Sequence, residues 1–305
     1  MQLFYADEFV LPLPPGHRFP MAKYRRLRER VIEGIPDIRL RVPPAASPWE
    51  LACAHDPRYV ERVLEGKLTA PEIRRIGFPW SLEMVERSRR SVGGTLAAAR
   101  GALVEGVSGN LAGGTHHAGR DIGEGYCVFN DVAVTARTLL AEGKVGRVAI
   151  IDADVHQGNG TAAILGADRE VFTFSVHGER NFPFRKSPSH LDIALPDGAN
   201  DSDYLDAIGR GLKEAVSDWR PDLVLYIAGA DPFEGDTLGR LAVTEAGLRE
   251  RDRQVLRQCE SLGIPLAICM GGGYAPDVEV IVSLHFTTFA LAAEGHRRAQ
   301  RLERA

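Results

Sequence analysis

Four near-continuous apolar runs, at residues 147–152, 171–176, 223–228 and 265–270, constrain this chain more than any other feature. A strand with one wet face alternates apolar and polar side chains. Runs such as Val148 to Ile151 and Leu223 to Ile227 do not alternate, which suits strands covered on both faces, as in a parallel sheet packed between helices. Helical patterns at 81 to about 106, 202–219, 244–262 and 276 to about 295 supply the covering layers. Ser202 with Asp203 marks one helix start and Gly263 one helix end. The Gly93-Gly94 pair weakens the first helix or lets a neighbour pack closely against it. The expected class is therefore α/β, three layers (α/β/α) around a central, mainly parallel sheet. With no repeat, low-complexity tract or linker, residues 1–305 read as a single domain.

Composition narrows the function classes. The chain is 44% hydrophobic and 26% charged, typical of a globular enzyme. With 37 basic and 41 acidic residues it has no general electrostatic reason to bind nucleic acid. The arginines at 25, 26, 28 and 30 and at 297, 298, 301 and 304 are mixed with glutamates and read as solvated helix faces. No apolar run approaches the roughly 18 residues of a membrane span, and no secretory signal opens the chain, so a cytoplasmic protein without a membrane partner is expected. Cys53, Cys127, Cys259 and Cys269 are widely spaced and read as buried thiols in a reducing compartment. Oligomeric state leaves no mark on the sequence.

Functional groups of open α/β sheets gather beyond the carboxyl ends of the strands. There lies Asp152-Ala-Asp-Val-His156, three potential ligands at alternate positions, which in extended backbone point the same way. Alone it could be only a polar strand exit. Asp231, at another strand exit, adds a second carboxylate, and two carboxylates with one imidazole leave a position open for water. His116 and His117, between glycine-rich turns, are either bases near neutral pH or packed core residues. Gly271-Gly-Gly-Tyr274 either lets backbone approach a ligand and presents a phenol, or is a plain strand-to-helix turn.

Together these segments resemble the histone deacetylase family, which has the arginase-deacetylase fold. The resemblance rests on Gly114-Thr-His-His-Ala118, Gly125-Tyr126, Asp152 to Gly160, Ser175-Val-His177, Ala228-Gly-Ala-Asp231 and Gly271-Gly-Gly-Tyr274, in the family's order. The His-Gln-Gly-Asn-Gly form at 156–160, with Gly77-Phe-Pro-Trp-Ser81 and the segment ending at His17, looks most like the class IV branch and its bacterial relatives. The resemblance implies Zn²⁺ on Asp154, His156 and Asp231, and two carboxylates with one imidazole would also accept Fe²⁺. It implies His117 as the proton-transferring base, His116 oriented by Asp152 as its electrostatic partner, and Tyr274 as donor to the carbonyl oxygen. Gly125 would accept from the substrate amide, Tyr126 and Phe182 would wall an acyl-lysine channel, and Gly272 would line it. A structural potassium is implied on Asp152, Asp154, His156, Ser175 and Val176.

Two positions depart from common family patterns. Asn159 stands where many members have an aspartate behind the second histidine, which leaves His117 less basic. Leu238 stands where polyamine-selective members carry a glutamate, although Glu234 and Asp236 lie in the same loop. The expected activity is removal of acetyl or longer acyl groups from lysine side chains or related amines. Acetylpolyamine hydrolysis and non-catalytic binding of acylated lysine are the alternatives.

Overall fold

A computed structural model describes residues 1–303. Eight strands, β1 (Gln2–Phe4), β2 (Arg39–Arg41), β3 (Val107–Asn110), β4 (Val148–Asp152), β5 (Val171–Gly178), β6 (Leu191–Leu195), β7 (Leu223–Ala228) and β8 (Leu266–Met270), form one sheet. The order is β2-β1-β3-β8-β7-β4-β5-β6 and every ladder is parallel, so the sheet is parallel throughout rather than mainly so. The helices are α1 (Ala22–Gly34), α2 (Pro48–Ala52), α3 (Pro57–Leu64), α4 (Ala70–Ile76), α5 (Leu82–Glu105), α6 (Asp131–Ala141), α7 (Asn159–Leu165), α8 (Asp201–Leu212), α9 (Glu245–Leu262) and α10 (Val278–Glu303).

The apolar runs behave as their composition demands: β4, β7 and β8 are buried along their whole length. The edge strand β6 alternates instead and escaped the sequence reading, as did the three-residue β1 and β2 and the helices α1 to α4, α6 and α7. Gly93 and Gly94 serve close packing. A Cβ on Gly93 would meet the Pro44 carbonyl at 1.9 Å, and one on Gly94 the Asn110 side chain at 2.6 Å. The helix expected at 202–219 starts one residue earlier, capped by Asn200, and its last turn, Lys213–Asp218, widens to a π-helix. Gly263 ends α9 in the left-handed conformation.

Helix α10 runs past Gly295 and corrects the membrane argument. Val278–Arg301 is long and apolar enough to cross a bilayer by length and composition alone. Its apolar side chains have another use, since Ile281, Val282, Phe289, Ala292 and Ala293 are buried where the helix packs on α1 and α9. Four of the clustered arginines are paired: Arg25 with Glu29, Arg26 with Glu279, Arg28 with Asp7 and Arg298 with Glu260. Arg304 lies outside the described residues. Three of the cysteines are buried thiols, whereas Cys53 is partly exposed.

Candidate active site

The carboxyl ends of β4 and β7 deliver the acidic residues. The chain does not stay extended past Asp152. It bends over Asp154 to His156, with the Asp154 N–H donating to Asp152 Oδ1 (3.2 Å) and the His156 N–H to Asp154 Oδ1 (2.9 Å). The bend separates the three residues that simple alternation would align. Asp152 turns to His116 Nδ1 at 2.7 Å, while Asp154 and His156 meet Asp231 from the β7 exit. His156 Nδ1 lies 3.0 Å from Asp154 Oδ1 and 3.1 Å from Asp231 Oδ2. One ligand atom from each of the three residues falls within 4.8 Å of the others, all buried.

Backbone donors hold the outer carboxylate oxygens. Gly272 N–H donates to Asp154 Oδ2 (2.6 Å) and Val155 N–H to Asp231 Oδ1 (3.0 Å), so the remaining lone pairs converge on His156. Burial raises the Asp231 carboxyl to about 7, helped by the charge of Asp154. Burial opposes charge on His156 as well, but its contacts with the two carboxylates outweigh that and raise it to about 10. Two buried carboxylates around one imidazole call for a cation at their centre, and a proton on His156 is the substitute that keeps the charge balanced. This donor set, two oxygens and one nitrogen, fits Zn²⁺ and accepts Fe²⁺.

Glycines make the convergence possible. A Cβ on Gly272 would lie 1.7 Å from Asp231 Oδ2, one on Gly271 2.7 Å from Asp154 Oδ2, and one on Gly158 2.3 Å from Asp152 Oδ2. At the start of α7, Gly160 packs where a Cβ would meet the Ala118 carbonyl at 2.3 Å, which seats the helix on the His116-His117 segment.

The two histidines are inequivalent. Their ring centroids are 4.2 Å apart. Burial opposes charge on His116, but the neighbouring Asp152 and Asp154 charges prevail and raise it to about 9. His117 has no such partner: its Nδ1 meets Asn159 Oδ1 at 2.7 Å, and burial, with the charges of His116 and His156, holds it well below 6.5. Asp131, at the start of α6, fixes the preceding turn by accepting from Gly114 N–H (3.0 Å), Thr115 N–H (2.7 Å) and Thr115 Oγ1 (2.8 Å). The Nδ2 of Asn130 donates to the Ala118 carbonyl at 3.0 Å.

Gly125 (φ +56°) sits between His117 and Phe182, where a Cβ would approach the rings to 2.7 and 3.2 Å. Phe182 stands edge-on to His117 at 4.9 Å. Tyr126, also left-handed (φ +66°), lies against Gly77, whose missing Cβ makes room for the ring. Tyr126 and Tyr274 are 6.3 Å apart, and Tyr274 stands edge-on to His156 at 6.4 Å. The Tyr274 backbone is clamped by the Asp231 loop: its N–H donates to Asp236 Oδ2 (2.6 Å) and its carbonyl accepts from Thr237 Oγ1 (2.7 Å). Burial, reinforced by Asp231 and Asp154, pushes the phenol far above its usual value, so it stays a donor.

A cavity of about 40 Å³ joins His116, His117, Tyr126, Gly272 and Tyr274 to Asp154, His156 and Asp231. Ser175 and Val176 are buried on β5, with Ser175 the register partner of Asp152 and its Oγ 2.9 Å from His177 Nδ1. Leu238 does not line the cavity; its carbonyl accepts from Asn181 Nδ2 at 2.7 Å. Asp236 is committed to the N–H groups of Leu238, Gly239 and Tyr274, which removes it as a free anion for a cationic substrate. Sequence reasoning missed Asp131 and Lys23, and saw in Asp236 only an anion for a cationic substrate rather than the clamp on the Tyr274 backbone. Lys23, only 1% exposed, lines the cavity with its Nζ 5.5–5.6 Å from the ring centroids of Phe19, Tyr24 and Tyr274. The Phe129-Asn-Asp131 run before an apolar helical pattern was the available signal for Asp131.

A parallel α/β/α sheet with a buried Asp–His–Asp cluster beyond its strand ends defines the arginase-deacetylase class of fold. Within it the chain belongs to the histone deacetylase family: the model of the histone deacetylase domain matches residues 17–288. An uncharacterized protein of Picosynechococcus sp. is 44% identical over 92% of this chain and 94% of its own length. Histone deacetylase 2 of Arabidopsis thaliana is 31% identical over 85% of this chain and 70% of its own. Among solved structures, a histone deacetylase homologue from Aquifex aeolicus superposes with a TM-score of 0.81 over 96% of this chain and 84% of its own. An acetylpolyamine aminohydrolase from Burkholderia pseudomallei superposes with a TM-score of 0.74 over 96% and 98%. Both are 21% identical to this chain and speak for the fold alone.

Proposed function

We propose that this protein is a zinc-dependent deacylase of the class IV type that hydrolyses N-acylated lysine side chains or related amines. The observation that carries the reading is the meeting of Asp154, His156 and Asp231 beside a neutral His117 whose Nδ1 is already taken by Asn159. A divalent cation held by that triad would supply a Lewis acid that makes water more acidic and polarises an amide carbonyl.

The chain's own groups do the rest. Asn159 Oδ1 accepts the Nδ1 proton of His117, so its Nε2 carries a lone pair that can take a proton from the attacking water and pass one to the leaving amine. His116, whose Nδ1 faces Asp152 at 2.7 Å, stabilises the developing negative charge, and the Tyr274 phenol donates to the oxyanion. The Gly125 carbonyl accepts from the substrate N–H, and Tyr126 and Phe182 flank the acyl-lysine stem. The same reading puts K⁺ on Asp152, Asp154, His156, Val176 and Ser175, supported by the Asp152–Ser175 register.

Leu238 and the committed Asp236 disfavour polyamines. A panel of acetyl-, octanoyl- and myristoyl-lysine peptides with acetylated polyamines, assayed with zinc and with chelator, tests the reading. Zinc-dependent turnover led by an acyl-lysine peptide is expected; preference for polyamines would transfer the assignment to that substrate class.

A further inference from the structure

The hydrogen bonds behind His117 do not end at Asn159. Glu124 lies one residue before Gly125, its backbone fixed by reciprocal N–H to carbonyl bonds with Cys127, both 2.9 Å. Its Oε1 accepts from Asn159 Nδ2 at 3.1 Å, while Asn159 Oδ1 faces His117 Nδ1 at 2.7 Å. A carboxamide presents a donor on one side and an acceptor on the other, and turning it over exchanges them. A carboxylate only accepts. Glu124 therefore admits one orientation of Asn159, with the NH₂ toward itself and Oδ1 toward His117. Oδ1 in turn demands a proton on Nδ1, which leaves Nε2 bare. With the amide reversed, the NH₂ would face Nδ1, the ring proton would move to Nε2, and the base would be lost.

We propose that Glu124 is a positioning residue that, through Asn159, sets the tautomer of His117. The contact also gives a reason for an amide at 159. An aspartate there would place a second carboxylate oxygen against Glu124 at the 3.1 Å now spanned by a hydrogen bond. With Glu124 gone, an aspartate at 159 would accept from Nδ1–H in either orientation and need no help. The consequences for catalysis rest on His117 being the base, as proposed above; the tautomer itself does not.

The test is a double-mutant cycle of Glu124→Leu and Asn159→Asp, read by kinetics and by the ¹⁵N shifts of His117 in the protein as purified. Glu124→Leu is expected to lower kcat at least about 10-fold with little change in KM, a part of the roughly 10²–10⁴ that a general base supplies. Asn159→Asp alone is expected to lower it too, and the double variant to recover most of the loss. Losses that multiply in the double variant would overturn the proposal. In the spectra, wild type is expected to hold the Nδ1–H form and Glu124→Leu a mixture; an unchanged tautomer in Glu124→Leu would also overturn it. Because the spectra need no turnover, a protein that hydrolysed no amide would refute the proposed function while leaving this inference to be decided by its tautomers.

Discussion

Gly272→Ala puts the fit between the glycine turn and the metal ligands to a quantitative test. The added Cβ would lie 1.7 Å from Asp231 Oδ2 and 3.0 Å from Tyr274 Cε2. Real Cβ atoms essentially never come nearer than 3.0 Å to a neighbour, so the Asp231 carboxylate or the turn must give way by about 1.3 Å. Neither is free to move. Asp231 is fully buried and bonded to Val155 N–H, and the Gly272 N–H is bonded to Asp154 Oδ2 at 2.6 Å. Moving Asp231 therefore breaks its own support, and moving the turn breaks that of Asp154. Site groups need to sit within roughly 0.5 Å of their working geometry, and disturbing the supports of metal ligands typically costs 10–100-fold in affinity. The expected result is a rise of about 10–100-fold in the dissociation constant for Zn²⁺ or Co²⁺, measured by chelator competition, with the far-ultraviolet circular dichroism unchanged. Metal affinity equal to wild type would refute the claim that the glycine turn and Asp231 share one tightly packed site.

Tyr274→Phe keeps the ring and removes the donor, so kcat is expected to fall on the order of 10²-fold with KM nearly unchanged; near-normal turnover would contradict the oxyanion role. His55 supplies a test of stability against pH. Burial holds it down to about 4 from the usual 6.5, opposed by its backbone bonds, so the folded protein keeps it neutral where the unfolded chain takes up a proton. The unfolded state then binds more protons between those values, so stability falls as pH drops through 6.5 and the loss levels off near 4. From pH 7 to 5 this one group is expected to cost about 2 kcal/mol. Urea melts of wild type and His55→Gln at both pH values check it, and an equal pH dependence in the two would remove His55 as a source.

What was legible in the sequence follows from how local each feature is. Strands β4, β7 and β8 announced themselves because strands buried on both faces have few polar residues to dilute the pattern, and β5 did so despite Thr173, Ser175 and His177. Strands β1 and β2, three residues each, are too short for any period, and β6 lies at an edge. The strand exits that carry Asp154, His156 and Asp231, a triad that could hold a metal, were legible, but the bend at Asp154–His156 was not, because side-chain to backbone bonds two residues away redirect the chain there. The supporting groups were hidden for another reason. Glu124 meets Asn159 across 35 residues and Asp236 meets Tyr274 across 38, distances over which one sequence carries no pattern. Lys23 sat beside an arginine cluster read as solvated, yet it turns inward beneath Tyr274.

The central claim is that Asp154, His156 and Asp231 hold a divalent metal on which amide hydrolysis depends. Its most direct test is the turnover of an acetyl-lysine peptide against bound zinc, titrated into chelator-stripped protein, for wild type and Asp231→Asn. Activity is expected to rise in proportion to zinc up to one ion per chain in wild type and to stay at background in Asp231→Asn. Turnover that survives removal of the metal, or metal-replete protein that hydrolyses no acylated amine, would contradict the account.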